Sequence, residues 1–397
     1  MENQYNQPLP ESIVIERLRA ALRPFMVVEE VKVLSGDAKP VVQFSGQLMA
    51  GDDEEAVFDE IVRRFAELGY TPLLTQGDGE QHLQAIPVVA DNKTGKPWLN
   101  ALLFVLTLLS TLFVGAFQEN VIPRRLADIW RGWPFALTLL AILTAHEFSH
   151  YFVGRRYASP VSLPYFIPLP LPGSLGTLGA IIFQRGPMRS RKALFDIGIA
   201  GPLGGLIVAI PLLLFGLSRT EVGTPRSFLD LPPNEPVMVS QEGNSLLYLA
   251  AKYIIHGRIL PDKKTGEDVW LSPPSAGGSI TFAAWVGLLV TMYNLLPVGQ
   301  LDGGHVAYAM WGRKAWKIAR VTLFVIWAWA IFLLVTGNWG GLTWVMVGLL
   351  GRFVGPHHPP PLNDLTPLDP RRRVLGWVMV IIFFLLLTPI PWTNFTL

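Results

Sequence analysis

The 397-residue sequence contains no cysteine. Disulfides, thiol nucleophiles and thiolate metal ligands are thereby excluded, and any metal must be held by histidine and carboxylate. Charge is scarce as well: only 16% of the residues are Asp, Glu, Lys or Arg, and the formal net charge is +2. That balance gives no footing to nucleic-acid binding. The one basic run, Arg371-Arg372-Arg373, reads instead as the flank of a membrane span. The amino terminus lacks a basic stretch followed by an apolar one, so we expect neither a signal peptide nor a transit peptide, and a terminus that stays in the cytosol.

Apolar bulk is what the sequence has in quantity. Half of the residues are hydrophobic, Trp (13) and Phe (22) are plentiful, and mean hydropathy is +0.37, which is a membrane composition. Apolar runs at 98–117, 135–153, 193–217, 279–296, 319–336, 341–354 and 374–390 predict about seven crossings, the sixth of them short. Basic residues orient the spans. Arg155, Arg156, Arg185, Arg189, Arg191 and Lys192 follow the second, and Arg313, Lys314 and Lys317 follow the fourth, while Arg352 and Arg371 to Arg373 flank the sixth and seventh. These loops are expected on the cytoplasmic side and the uncharged turn at 337–340 outside, with Arg124, Arg125 and Arg131 opposing the scheme.

The first ninety residues are a different material. Helical periodicity at 10–23 and 52–68, with strand-like runs at 27–33, 41–47, 71–74 and 82–89, predicts a small soluble α+β domain over residues 1–92. It carries no metal or nucleophile constellation, so its expected role is structural or regulatory. Residues 93–397 then form the transmembrane part, with an extracytoplasmic loop at 218–278 that contains one helix, 245–256. The fold class expected is an α-helical polytopic membrane protein with a small N-terminal soluble α+β domain. Residues 162–175, rich in proline and glycine, and the strand-like 177–184 do not read as spanning helix. They are either a connector or extended chain that returns towards the bilayer and aligns a substrate.

Chemistry is concentrated in His146-Glu147-Phe148-Ser149-His150, inside the second span. Residues four apart share a helical face, so His146 and His150 can offer two imidazole nitrogens to one ion while Glu147 faces a water beside it. A zinc ion with three protein ligands acidifies a water in its fourth position, and the carboxylate can take that water's proton as it attacks a carbonyl. Ionisable groups at this depth are costly, which makes function their default explanation. The third ligand is sought at the same depth. The fourth span ends in Asn294-Leu-Leu-Pro-Val-Gly-Gln-Leu-Asp-Gly-Gly304, where Pro297 stops the helix and the glycines let the chain turn, so Asp302 is the candidate.

An H-E-x-x-H helix followed by N-x-x-P-x-x-x-L-D-G in a multispanning chain resembles the site-2 protease family of intramembrane zinc metalloproteases. Gly176-Thr-Leu-Gly-Ala180, Phe195-Asp-Ile-Gly-Ile-Ala-Gly-Pro202 and Trp285-Val-Gly-Leu-Leu-Val-Thr-Met-Tyr-Asn294 extend the resemblance over residues 135–310, closest to the cyanobacterial and chloroplast branch. The resemblance implies that His146, His150 and Asp302 bind zinc, that Glu147 is catalytic and that Asn294 holds the substrate backbone. It also implies single-pass membrane proteins as substrates, cleaved within the bilayer of a cell membrane to release a regulator. Many bacterial members carry a PDZ domain where this chain has 218–278, and no such signature is visible here. Two competing readings are a catalytically silent membrane chaperone or scaffold and a transporter. The retained Glu147 argues against the first, and the lack of a second copy of either motif argues against the second. Asp196, as a site residue or a helix N-terminal carboxylate, and His256, His305, His357 and His358 complete the ionisable candidates.

Overall fold

In the computed structural model, the residues described are 11–35, 40–49, 54–77, 79–87, 95–119, 121–157, 159, 161–184, 186–229, 238–272 and 277–396. The expected domain boundary at 92/93 falls outside them, as do residue 10, residues 52–53 and residues 88–89 of the expected N-terminal elements.

The N-terminal region is built of α1 (Glu11–Leu22), β1 (Met26–Ser35), β2 (Val41–Leu48), α2 (Glu54–Glu67), β3 (Thr71–Gly77) and β4 (Glu80–Ile86). The strands form one antiparallel sheet in the order β1-β2-β4-β3, which leaves β3 at an edge. Alternation along β2 and β4 points Val42, Phe44, Leu83 and Ala85 inward. Phe58, Ile61 and Phe65 repeat along one face of α2 and meet them, closing a second core, against which Leu362 and Leu365 from the far end of the chain also pack.

The remainder is mainly helical. α3 (Pro97–Gln118) leads through α4 (Leu126–Ile129) to α5 (Trp133–Arg156), a hairpin of β5 (Tyr165–Leu169) and β6 (Gly176–Ile181), and α6 (Arg191–Leu217). β7 (Val222–Gly223), α7 (Pro225–Leu229), β8 (Met238–Glu242), α8 (Leu246–His256) and β9 (Asp268–Val269) follow. Then come α9 (Gly278–Asn294), α10 (Asp302–Trp311), α11 (Lys314–Val335), α12 (Gly341–Val354), α13 (Pro370–Leu386) and β10 (Trp392–Thr396).

Each of the seven apolar runs holds a helix, but residues 295–296 and 387–390 lie beyond the ends of the helices that end at Asn294 and Leu386. Four helices among the described residues, Pro97–Gln118, Leu126–Arg156, Arg191–Leu217 and Lys314–Val335, are long and apolar enough to cross a membrane. The other three runs form α9 (17 residues), α12 (14 residues) and α13 (17 residues). α5, α6, α9 and α10 pack around a core that includes Phe135, Leu139, Phe195, Trp285, Met292 and Tyr308. α11 and α13 instead present Val321, Phe324, Phe332, Val335, Ile381 and Phe384 outward, an apolar surface suited to lipid and not to water.

Basic loops gather at one end. Arg191 pairs with Asp364 at 2.8 Å, Arg372 pairs with Asp196 at 2.6 Å, and Arg189 and Lys192 reach Asp59 and Glu55 of the N-terminal region. At the opposite end β8 pairs with β10, and Lys252, fully buried, sits between Glu242 at 3.3 Å and Asp268 at 2.8 Å. The extended chain expected near 177–184 is the β5–β6 hairpin, which lies along α3. Asn100 Nδ2 donates to the Leu163 and Pro164 carbonyls, Ser110 Oγ donates to the Gly176 carbonyl, and Phe104 meets Phe166 edge-on.

Candidate metal centre

Helical repeat sets His146 and His150 one turn apart on α5, both buried, with their rings 4.9 Å apart and edge to face. The third donor comes from beyond α9. The chain leaves the helix after Asn294 and doubles back so tightly that a Cβ on Gly303 would lie 2.0 Å from the Leu295 carbonyl oxygen, an approach only glycine permits. Asp302, first residue of α10, is thereby pressed against both histidines.

The distances are those of a coordination shell. His146 Nε2 lies 3.1 Å from Asp302 Oδ2, His150 Nε2 lies 3.2 Å from Asp302 Oδ1, and the two Nε2 atoms are 3.2 Å apart. Ligand atoms around a tetrahedral ion with bonds of about 2.0–2.2 Å are spaced by about 3.3 Å. Asp302 Oδ2 is close to His146, yet it is buried without a partner in hydrogen-bond geometry. A buried carboxylate oxygen without a donor is costly unless a cation takes it, so this donor set fits one metal ion.

α6 fixes the tautomer of one histidine. His150 Nδ1 is 2.7 Å from the Ile197 carbonyl oxygen, which can only accept, so Nδ1 carries the proton and Nε2 keeps its lone pair for the cluster. The approach is possible because Gly198, Gly201, Gly204 and Gly205 form the face of α6 turned to α5 and α10. Glu147, next to His146 on α5, is buried, at 7% exposure. Asn294 Nδ2 stands 3.3 Å from His146 Nε2, the atom that also faces Asp302. Beside the Asp302 turn lies an apolar cavity of about 570 Å³, lined by Leu295, Pro297, Gly303, Trp311, Val325 and Phe383 among others.

The structure thus brings His146, Glu147, His150, Asn294 and Asp302 together. Other ionisable candidates are placed elsewhere. Asp196 is neither a partner of the cluster nor a first-turn carboxylate: it takes two bonds from Arg372, at 2.8 and 2.6 Å, and one from the Tyr157 hydroxyl. His256 is on α8, and His357 packs its ring against Trp316. His305, one turn beyond Asp302, is bonded to His358 at 2.6 Å. Sequence reasoning missed the Ile197 carbonyl and the His305–His358 bond. Neither has a signal in residue type, whereas the spacing of Gly198, Gly201 and Gly205 within one helix is a signal that could have pointed to the close approach of α5 and α10.

The model of peptidase family M50 matches residues 134–336, just over half of the chain. The chain belongs to this family. Among curated proteins, this M50 member is 28% identical over 304 residues to "Probable zinc metalloprotease EGY2, chloroplastic" of Arabidopsis thaliana, covering 74% of the chain and 49% of that protein. It is 30% identical over 258 residues to "Probable zinc metalloprotease EGY1, chloroplastic" of Oryza sativa subsp. japonica, covering 65% of the chain and 40% of that protein. A 26% match over 310 residues joins it to "Probable zinc metalloprotease EGY3, chloroplastic" of the same plant, covering 75% and 49%. The chain therefore spans about half the length of the curated relatives it matches, and no solved structure gives a significant match. These names agree with the expected chloroplast branch and with zinc as the metal the three donors would take; they lend no support to a cell-membrane location.

Proposed function

We propose that this chain is a membrane-embedded zinc endopeptidase that cuts the membrane-spanning segments of single-pass membrane proteins. The observation that carries the reading is the convergence of His146, His150 and Asp302, with one ligand atom from each within 4.8 Å of the others, amid helices apolar enough for a bilayer. A transporter site would gain nothing from the buried Glu147 one residue from a ligand, and a silent scaffold would have no use for a buried carboxylate pressed against two histidine nitrogens.

In this reading His146 and His150 hold the ion through Nε2 and Asp302 through its carboxylate. Zinc, when bound, supplies a Lewis acid for the scissile carbonyl and acidifies a water in its open position. Glu147 accepts the proton of the attacking water and passes it to the leaving amine. The Ile197 carbonyl holds His150 in the ligating tautomer. Asn294, whose side chain both donates and accepts, pairs with the backbone of the unwound substrate, whose peptide groups need partners in a dry site. The apolar cavity beside Gly303 offers room for substrate side chains.

Seven crossings, a division at residue 92/93, a core at 135–310 and an outer loop at 218–278 are parts of the same proposal. So is a cell-membrane position with the N-terminal domain cytoplasmic; the gathering of basic loops beside that domain supports the orientation alone. Mass spectrometry of membrane proteins from cells carrying the parent chain or Glu147→Gln tests it. Fragments ending inside a membrane span should appear only with the parent, and identical peptide sets would refute the assignment.

A further inference from the structure

The stretch between α12 and α13, residues 355–369, is irregular chain, yet it is hydrogen-bonded on two sides. One side of it is joined to the N-terminal domain. Leu74 N donates to the Leu362 carbonyl at 2.7 Å and Asp364 N donates to the Leu74 carbonyl at 3.0 Å, so the stretch continues the sheet as a parallel neighbour of the edge strand β3. Leu362 and Leu365 pack into that domain's core. The other side is joined to the chain leading into α6, through Leu362 N to the Met188 carbonyl at 2.8 Å and Asn363 N to the Arg189 carbonyl at 3.0 Å.

From this tethered base two buried side chains reach α10. Asp364 receives the Tyr308 hydroxyl at 3.1 Å while its other oxygen pairs with Arg191 at 2.8 Å. His358 meets His305 at 2.6 Å and stacks on Tyr308 with ring centres 4.9 Å apart. Bonding partners settle the protons. His358 Nδ1 lies 2.6 Å from the Pro359 carbonyl, which only accepts, so His358 Nε2 is the bare nitrogen and His305 Nδ1 donates to it. His305 and Tyr308 are three residues apart and so share a face of α10, whose first residue is Asp302. Across the helix, Gly198 abuts the Cβ of His305 and leaves no slack on the α6 side.

We propose that residues 357–364 form a strap that positions the Asp302 helix, with His358 and Asp364 as positioning residues and the N-terminal domain as the anchor that holds the strap in place. The domain thereby acts on the metal centre without touching it. A ligand carried on a short helix is only as well aimed as that helix, and partners that orient ligands are commonly worth ten- to a hundred-fold in metal affinity. This inference rests on the metal-ligand reading of Asp302.

The test uses the full chain in detergent, loaded with cobalt, whose absorption reports ligand geometry. Three variants are compared with the parent: His358→Ala, His358→Gln and the doubly substituted Leu362→Ser/Leu365→Ser. Release of cobalt to excess chelator should quicken by about ten-fold or more in His358→Ala and in the double variant, with an altered visible spectrum in both. His358→Gln should return both readings to parent values, since its amide oxygen can accept from His305. Spectra and release rates equal to the parent in His358→Ala and the double variant would overturn the strap, as would a glutamine that fails to rescue. If the parent itself takes up no cobalt, the metal-ligand reading falls and the strap with it.

Discussion

Gly201 of α6 faces His150 of α5 so closely that a Cβ at position 201 would lie 2.0 Å from His150 Nε2 and 2.5 Å from its Cδ2. The imidazole that offers a lone pair to the cluster therefore rests on bare backbone. Gly201→Ala should displace the ring from Asp302 and cost about 1–3 kcal/mol of stability through overpacking. Zinc content of the purified variant should drop to a small fraction of the parent's. Gly205→Ala is the control, because its Cβ would stand 3.4 Å from His146 Nδ1, an ordinary contact, and zinc should stay near the parent value.

Asn294 points its amide at the His146 nitrogen that faces Asp302, and one lone pair cannot serve both the amide and an ion. In the proposed mechanism, an ion in the centre would take that lone pair and leave the amide free for the substrate backbone. Asn294→Ala should depress cleavage about ten-fold, on the order of one buried hydrogen bond between neutral groups, with zinc unchanged. Loss of zinc in this variant would instead make Asn294 part of the metal site.

Lys252 is buried between two carboxylates, and its ammonium also lies 4.4 Å from the Tyr248 ring centre. Removing it leaves Glu242 and Asp268 facing each other without a counter-charge. Lys252→Met should cost about 3–5 kcal/mol and lower the thermal unfolding midpoint of the solubilised protein. Unchanged melting would mean that the two carboxylates shed their charge by taking up a proton when the lysine is gone.

Much of this architecture is legible in the sequence, for reasons that can be named. The apolar runs are helices because lipid leaves the backbone no other partner, and H-E-x-x-H is readable because a period of 3.6 maps spacing directly onto geometry. Asp302 was reachable through the glycines and proline that bend its turn. Less legible were contacts decided by tertiary packing alone. Asp196 offers the sequence only a carboxylate near a helix start, while its partners Tyr157 and Arg372 come from distant segments. His358 precedes a proline in a loop, and nothing local says that its ring will stack on Tyr308. Backbone carbonyls such as that of Ile197 carry no residue-type signature at all.

Because the chain lacks cysteine, its orientation can be read by single-cysteine labelling. Arg313, Arg371 and Lys264 are all exposed, the first two at the end where the basic loops gather and the third in the 218–278 segment. An impermeant thiol reagent applied to intact cells should modify Lys264→Cys and spare Arg313→Cys and Arg371→Cys. Labelling of position 313 from outside would reverse the proposed orientation and the side on which products leave.

The central claim is that three donors hold one zinc ion and a fourth group moves the proton. Elemental analysis of purified Asp302→Ala and Glu147→Gln, alongside cleavage of a single-pass substrate in vesicles, separates those roles. The account predicts zinc lost from Asp302→Ala, one zinc retained in Glu147→Gln, and no cleavage by either. Full zinc occupancy in Asp302→Ala, or cleavage by Glu147→Gln at the parent rate, would contradict it.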